Sequence, residues 1–283
     1  MVKFISMSKG AYVVAAGLRD QFRPYRVGRV LREPGAKPNF FEVVLAPRAL
    51  WEVGVLAKLT ATFAESGISL LALKVSSAKS GELLRILLAA DLKGKEGEVA
   101  KLVNGLKKVP SVERVEYAPP LFDGVAVDVW SHPLLLDEER VAMLPTTFFA
   151  SMLKRGWSEF GTAFAAILYH VALAGAYEEC ARCLEQHSRE ECLKLHEERF
   201  RLLGYGVLKV EKLTEREMVA RVYDSIECGF FEGSGEPRGA FVRGVTAGVA
   251  AALWGAPPER VEAEEVKCVA KGDPYCEFRV RRR

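Results

Sequence analysis

The chain has 283 residues, enough for two domains, with 49% hydrophobic residues and a formal charge of only +3. This balance, without an extended basic patch or a helix-turn-helix signal, argues against direct DNA binding, so contact with nucleic acid would need a partner protein. No N-terminal stretch has the charged, apolar and cleavable regions of a signal peptide. The longest apolar run, Gly161 to Gly175, is too short to cross a bilayer. We therefore expect a cytoplasmic protein.

Side-chain amides are scarce in this chain. Asn39, Asn104, Gln21 and Gln186 are the only ones, beside abundant Glu, Lys and Arg. This composition is typical of proteins from hyperthermophiles. Such organisms are the exception to the rule that cytosolic thiols stay reduced, so the compartment does not decide whether the cysteines pair.

Residues 1–39 are expected to form an N-terminal extension and a linker. Two apolar runs, Val2 to Met7 and Ala11 to Ala16, are separated by Ser-Lys-Gly and predict a hairpin. The polar stretch that follows contains Pro34, Gly35 and Pro38 and is typical of a linker.

Residues 40–120 show the pattern of a ferredoxin-like βαββαβ domain, in which strand and helix periodicities alternate. The predicted elements are a strand from Phe40 (F-F-E-V-V-L), a helix Ala49 to Ser66, strands Ile68 to Ser77 and Leu83 to Leu92, a helix Gly97 to Lys108, and a strand Val112 to Tyr117.

The Gly54-Val55-Leu56 turn and the downstream A-E-S-G-I-S-L-L-A-L resemble an ACT domain. ACT domains commonly hold an amino acid at the first loop and the start of the first helix, so the resemblance implies an effector site at Trp51, Val53, Gly54 and Val55. The usual Asp-Arg-Pro-Gly loop is replaced here by A-L-W-E-V-G. A domain that only dimerises is the alternative.

Residues 121–283 predict an α+β domain with helices on one face of an antiparallel sheet. The expected elements are helices Leu144 to Arg155, Ser158 to Cys183 and Arg189 to Leu203, strands Gly206 to Lys212 and Glu217 to Asp224, a helix Val242 to Leu253, and a closing hairpin. Ser188-Arg189-Glu190-Glu191 matches a capping box.

Thiols and imidazoles gather around the turn between two of these helices, at Cys180, Cys183, His187, Cys192 and His196. Their helical spacing could place metal ligands on one face, but it matches no zinc-finger signature. Cys183 and Cys192 straddle the turn almost symmetrically. We favour a disulfide between them over a second metal site.

The closing hairpin joins strands Val261 to Val269 and Tyr275 to Val280 through Lys271-Gly272-Asp273-Pro274. Cys268 and Cys276 lie equally far from Gly272, so they face each other across the ladder. Such a pair can bind a metal or form a disulfide.

The motif E-x-x-C-x-A-x-G-D-x-x-C-x-F from Glu265, with the helix L-P-T-T-F-F-A-S-M-L and the G-V-T-A-G stretch at Gly244, resembles the 4-vinyl reductase domain of archaeal proteins and bacterial aromatic sensors. The resemblance implies a zinc held by Glu265, Cys268 and Cys276. Cys228, the nearest upstream cysteine, could complete a tetrahedral, structural site. Strict alternation places Glu264 rather than Glu265 on the Cys268 face, so this spacing requires a bulge.

Several aromatic side chains and one histidine in this domain could line an apolar ligand pocket. They are Phe148, Trp157, Tyr169, His170, Tyr177 and Trp254. No dinucleotide or phosphate-loop motif accompanies them. We therefore expect a non-catalytic, dimeric regulatory protein that senses an apolar or aromatic molecule. The alternatives are a reductase-associated enzyme of tetrapyrrole metabolism and a structural dimerising adaptor.

Overall fold

The computed structural model describes residues 25–283, which divide into two compact units, the first ending at Ala142 and the second beginning at Met143. The hairpin predicted between Val2 and Ala16 lies outside the described residues. Each unit has its own antiparallel sheet and hydrophobic core.

The first unit contains the predicted βαββαβ arrangement. Its sheet has the order β3-β4-β2-β5, and every neighbouring pair is antiparallel. Two helices cover one face. The elements are β2 (Pro38–Leu45), α1 (Val55–Glu65), β3 (Ser69–Val75), β4 (Leu84–Asp91), α2 (Val99–Lys107) and β5 (Val112–Ala118).

Alternation along β2 explains how this sheet meets its helices. Phe41, Val43 and Leu45 share one face and join one buried cluster with Leu59 and Phe63 of α1. The rings of Phe41 and Phe63 meet edge to face, with centroids 5.5 Å apart. This apolar layer fixes the register of the sheet.

Helix α1 begins later than its apolar spacing predicted. Residues Pro47–Leu50 form a separate 3-10 turn, and the helix starts at Val55 rather than Ala49. Gly54 precedes it with φ +88°, a left-handed conformation that interrupts the helix and that glycine adopts without strain.

Short strands extend the first unit beyond this sheet. Strand β1 (Val30–Arg32) pairs with β6 (Val125–Val127), and β7 (Leu134–Leu136) pairs with β8 (Glu139–Val141). The chain up to Ala142 is therefore part of this unit.

The second unit is an α+β fold with the sheet order β11-β12-β10-β9. Its elements are α3 (Thr146–Leu184), α4 (Arg189–Leu202), β9 (Val207–Leu213), β10 (Glu217–Tyr223), α5 (Ala240–Leu253), β11 (Val261–Lys267) and β12 (Cys276–Arg282). The predicted capping box is present, because Ser188 Oγ accepts from the Glu191 N–H and the Glu191 carboxylate accepts from the Ser188 N–H.

Helix α3 joins the two helices that the sequence predicted as separate. Gly161 breaks it with φ 53° and ψ −128°. Among the residues described, α3 is the one helix whose length and apolar content would suit a membrane span, which the shorter run from Gly161 had argued against. A single such helix is weak evidence for a span, because core helices of soluble proteins have the same length and composition.

Glycines let α5 approach α3 closely. A Cβ at Gly244 would collide with the carbonyl oxygen of Tyr169, and a Cβ at Gly248 would collide with that of Leu173. The remaining α5 side chains are almost all buried. The small-residue pattern therefore brings the two helix backbones into contact.

We predict that Gly244→Ala destabilises the second unit by about 1–3 kcal/mol, because the added methyl group overpacks this contact. Gly175→Ala is the matched control, since Gly175 lies in α3 and a Cβ added there would meet no atom of the described residues within 4 Å. That change should be neutral or stabilising by about 0.5–1 kcal/mol through helix propensity. Denaturant unfolding measures both, and equal effects would contradict the proposed close approach.

Candidate metal centre

Four side chains converge beneath the closing hairpin. One ligand atom from each of Cys228, Glu265, Cys268 and Cys276 lies within 4.8 Å of all the others. The three cysteines are fully buried, and Glu265 is half-buried. Three thiols and a carboxylate at this separation form a donor set that suits a tetrahedral metal ion.

The hairpin places three of these ligands. The last paired residues of β11 and β12 are Lys267 and Glu277, so Cys268 and Cys276 are the next positions along the two strands. The register shifts between Glu265 and Lys267, as the motif spacing required. This bulge turns the Glu265 carboxylate to the side of the thiols.

The turn between the strands is fixed by hydrogen bonds to the backbone of Cys268. Its N–H donates to Asp273 Oδ2 at 2.8 Å, and its carbonyl accepts from the Asp273 N–H at 3.2 Å. Gly272 has φ +96°, which permits the reversal. The Gly-Asp pair of the motif therefore holds Cys268 in place.

Cys228 comes from a different part of the chain. It opens the 3-10 turn Cys228–Phe231 after β10, and its thiol donates to Glu265 Oε1 at 3.6 Å. The structure thus brings the nearest upstream cysteine to the hairpin ligands, although 37 residues separate it from Glu265.

The start of α5 also contacts the cluster. The Gly239 N–H donates to Glu265 Oε2 at 2.9 Å, and the Arg238 N–H donates to the Cys268 sulfur. A Cβ at Gly239 would lie 2.8 Å from Glu265 Oε1, so only glycine allows this approach. Two consecutive backbone N–H groups therefore orient two of the candidate ligands.

Glu227 is a functional residue that sequence reasoning missed. Its fully buried carboxylate accepts from the Phe241 N–H at 2.9 Å and the Val242 N–H at 3.0 Å, which caps α5. Burial raises its pKa to about 8. Because it directly precedes Cys228, it ties that ligand to the helix. No local pattern marks this long-range cap.

Hydrogen bonds within the cluster separate the pKa values of its thiols. Bonds from Cys228 and then Cys276 lower the pKa of Cys268, which is the thiolate. Hydrogen bonding to Cys268 and Cys276, together with burial, raises the pKa of Cys228. For Cys276, the bond to Cys228 lowers the pKa, but the bond to Cys268 and burial outweigh it. Burial and then the Cys268 charge raise the pKa of Glu265 to about 8.

We predict that binding of a divalent metal at pH 7 releases about three protons, from Cys228, Cys276 and Glu265, because metal ligands must be deprotonated. Titration calorimetry in buffers of different ionisation enthalpy measures this number. Glu265→Gln should lower it by about one, whereas Cys180→Ser should leave it unchanged, since Cys180 is a buried thiol outside the cluster. Release near zero would contradict this assignment of protonation states.

The six residues predicted for a ligand pocket are dispersed. Tyr169, Tyr177 and Trp254 pack in one core cluster, where Trp254 Nε1 donates to the Thr214 carbonyl at 2.7 Å. Phe148 and His170 are exposed. Trp157 lines a surface cleft. These six side chains are therefore not gathered around one cavity.

The predicted ACT-loop residues also separate. Gly54 and Val55 line a cleft at the start of α1 together with Leu50 and Glu52. The side chains of Trp51 and Val53 are 76% and 95% exposed. An amino-acid effector at this loop stays a prediction.

The helical hairpin contains a disulfide between Cys183 and Cys192, whose Cα atoms are 5.8 Å apart. It links the end of α3 to the start of α4. Cys180 is a free, buried thiol, and burial raises its pKa to about 11. His187 is exposed.

Comparison with known proteins gives matches over the second unit. The 4-vinyl reductase domain family matches residues 218–282. An uncharacterized protein of Methanocaldococcus jannaschii, MJ0150, is 30% identical over 139 residues, which are 49% of this chain and 76% of that protein.

Solved structures resemble parts of the chain at low identity. The phenol-responsive sensory domain of the transcription activator PoxR, solved with phenol, is 16% identical, with 56% of this chain and 80% of that chain covered and a TM-score of 0.45. The ACT domain of a GTP pyrophosphokinase from Chlorobium tepidum is 18% identical, with coverages of 29% and 99% and a TM-score of 0.25.

The hairpin and its cluster are thus part of a 4-vinyl reductase domain, which confirms the resemblance that the sequence motif indicated. The chain belongs to the same family as the M. jannaschii protein MJ0150.

Proposed function

We propose that this protein is a non-catalytic, small-molecule-sensing regulatory protein whose 4-vinyl reductase domain is stabilised by a structural zinc ion. The observation that carries the proposal is the buried convergence of Cys228, Glu265, Cys268 and Cys276. The family match and the sensing role implied by the 4-vinyl reductase resemblance support a small molecule as the signal.

Zinc suits this donor set better than magnesium or calcium, which prefer oxygen ligands. Three thiolates and one carboxylate would fill a tetrahedral shell and leave no position for an activated water. The ion would therefore fix structure rather than catalyse hydrolysis. It would join the Cys228 turn to the closing hairpin, and both contact the start of α5.

Signal output in this proposal passes through a homodimer in the cytoplasm, with the first unit acting as an ACT-like relay. The mixed charge of the chain, only +3 overall, supports a protein partner rather than direct contact with DNA. A ligand must bind one of two states of the 4-vinyl reductase domain more tightly to change the output.

Elemental analysis of protein purified without added metal or a His tag tests the metal centre. We predict about one zinc per chain. Cys228→Ser should weaken zinc binding on the order of 100-fold or more, so that a mild chelator removes the ion. Cys180→Ser is the matched control, because it replaces another buried cysteine outside the cluster.

Two results would contradict the metal centre. One is wild-type protein without zinc that also fails to take up added zinc. The other is equal zinc retention by the Cys228→Ser and wild-type proteins.

A further inference from the structure

A second feature of the unit that contains the 4-vinyl reductase domain is a surface cleft of roughly 470 Å³ between α3 and the loop that precedes α5. That volume suits a small organic molecule. Aromatic rings and two cationic side chains line it. The residues that matter here are Lys154, Trp157, Phe230, Phe231 and Arg238.

The Arg238 guanidinium lies over two of the aromatic rings. Its central carbon is 4.3 Å from the centroid of Trp157 and 5.6 Å from that of Phe231. One guanidinium nitrogen pairs with Glu236 at 2.9 Å, but that carboxylate is 68% exposed. An exposed pair of this kind is weak and readily exchanged. The cation is therefore held by its stacking on the rings and can accept another anionic partner.

Two N–H groups of this stack have no acceptor within residues 25–283. Trp157 Nε1 and Arg238 Nε are both buried there without a hydrogen-bond partner. Buried donors are almost always paired in folded proteins, and a buried indole N–H usually finds an acceptor. Both unpaired donors belong to side chains that line the same cleft. The described part of the chain therefore leaves room for an acceptor from outside it.

We propose that this cleft binds a planar aromatic acid, whose carboxylate pairs with Arg238 and Lys154 and whose ring packs on Trp157 and Phe230. The inference rests on the proposed sensing function and names its site and ligand class. The carboxylate replaces Glu236 as the partner of Arg238. The accompanying shift of the guanidinium uncovers the indole N–H of Trp157, which then donates to the ligand.

The cleft connects directly to the metal centre. Arg238 and Gly239 are consecutive, and their backbone N–H groups donate to the sulfur of Cys268 and the carboxylate of Glu265. A ligand that repositions Arg238 therefore acts on two of the four candidate metal ligands. Ligand binding changes the rate at which the cluster releases its metal.

The test uses full-length, zinc-loaded protein and titration calorimetry with benzoate, its neutral isostere benzamide, and phenol. We predict saturable binding of benzoate at least about tenfold tighter than that of benzamide, because only benzoate forms charge-assisted hydrogen bonds with Arg238. Arg238→Gln should abolish this preference. Trp157→Phe, which keeps a ring but removes the N–H, should also weaken benzoate binding.

Arg243→Gln is the matched control. Arg243 also stacks on an aromatic ring, that of Tyr169 at 5.0 Å, and its buried Nε likewise lacks a partner among the described residues, but it lies outside the cleft. This variant should keep the preference for benzoate. Zinc content and circular dichroism establish that each variant is folded before it is titrated.

Several results would overturn the inference: no binding of benzoate, equal binding of benzoate and benzamide, or a preference that survives both Arg238→Gln and Trp157→Phe. Binding of phenol or benzamide independent of these residues would reject this site and leave the sensing function standing. Zinc content tests the metal centre separately. Benzoate binding that leaves zinc release to a chelator unchanged would contradict the coupling.

Discussion

The second unit depends on one constraint: three buried thiols and a carboxylate must share a small volume. At neutral pH their hydrogen bonds accommodate one thiolate, on Cys268, and raise the pKa values of Cys228, Cys276 and Glu265. A divalent cation removes this conflict because it stabilises the anionic form of every ligand at once. The site then replaces shared protons with coordinate bonds, and the same geometry serves both states.

Helix α5 transmits the position of the cluster to the rest of the unit. Its N-terminus is held by the carboxylates of Glu227 and Glu265, one adjacent to a candidate ligand and the other itself a ligand. Gly244 and Gly248 press the same helix against α3. Because packed backbones of this kind cannot slide freely, a change at the cluster or at Arg238 would reach α3 through a stiff element.

Local chemistry in the sequence predicted the parts of this site that depend on nearby residues. The Gly272 turn, the pairing of Cys268 with Cys276 and the bulge at Glu265 follow from strand alternation and motif spacing. The βαββαβ order and the capping box at Ser188 follow from periodicity in the same way. Long-range contacts have no local signal, so the Glu227 cap and the Arg238 stack on Trp157 needed the structure. Helix α1 was predicted too long because apolar spacing continues through Gly54, whose backbone conformation interrupts it.

The most direct test of the central claim is zinc K-edge X-ray absorption on protein purified without added metal. A site made by Cys228, Glu265, Cys268 and Cys276 predicts three sulfur neighbours at about 2.3 Å and one oxygen at about 2.0 Å. The Cys228→Ser protein should lose one sulfur from the shell or lose the ion. A wild-type spectrum with nitrogen neighbours, with two sulfurs or fewer, or without zinc would contradict the account.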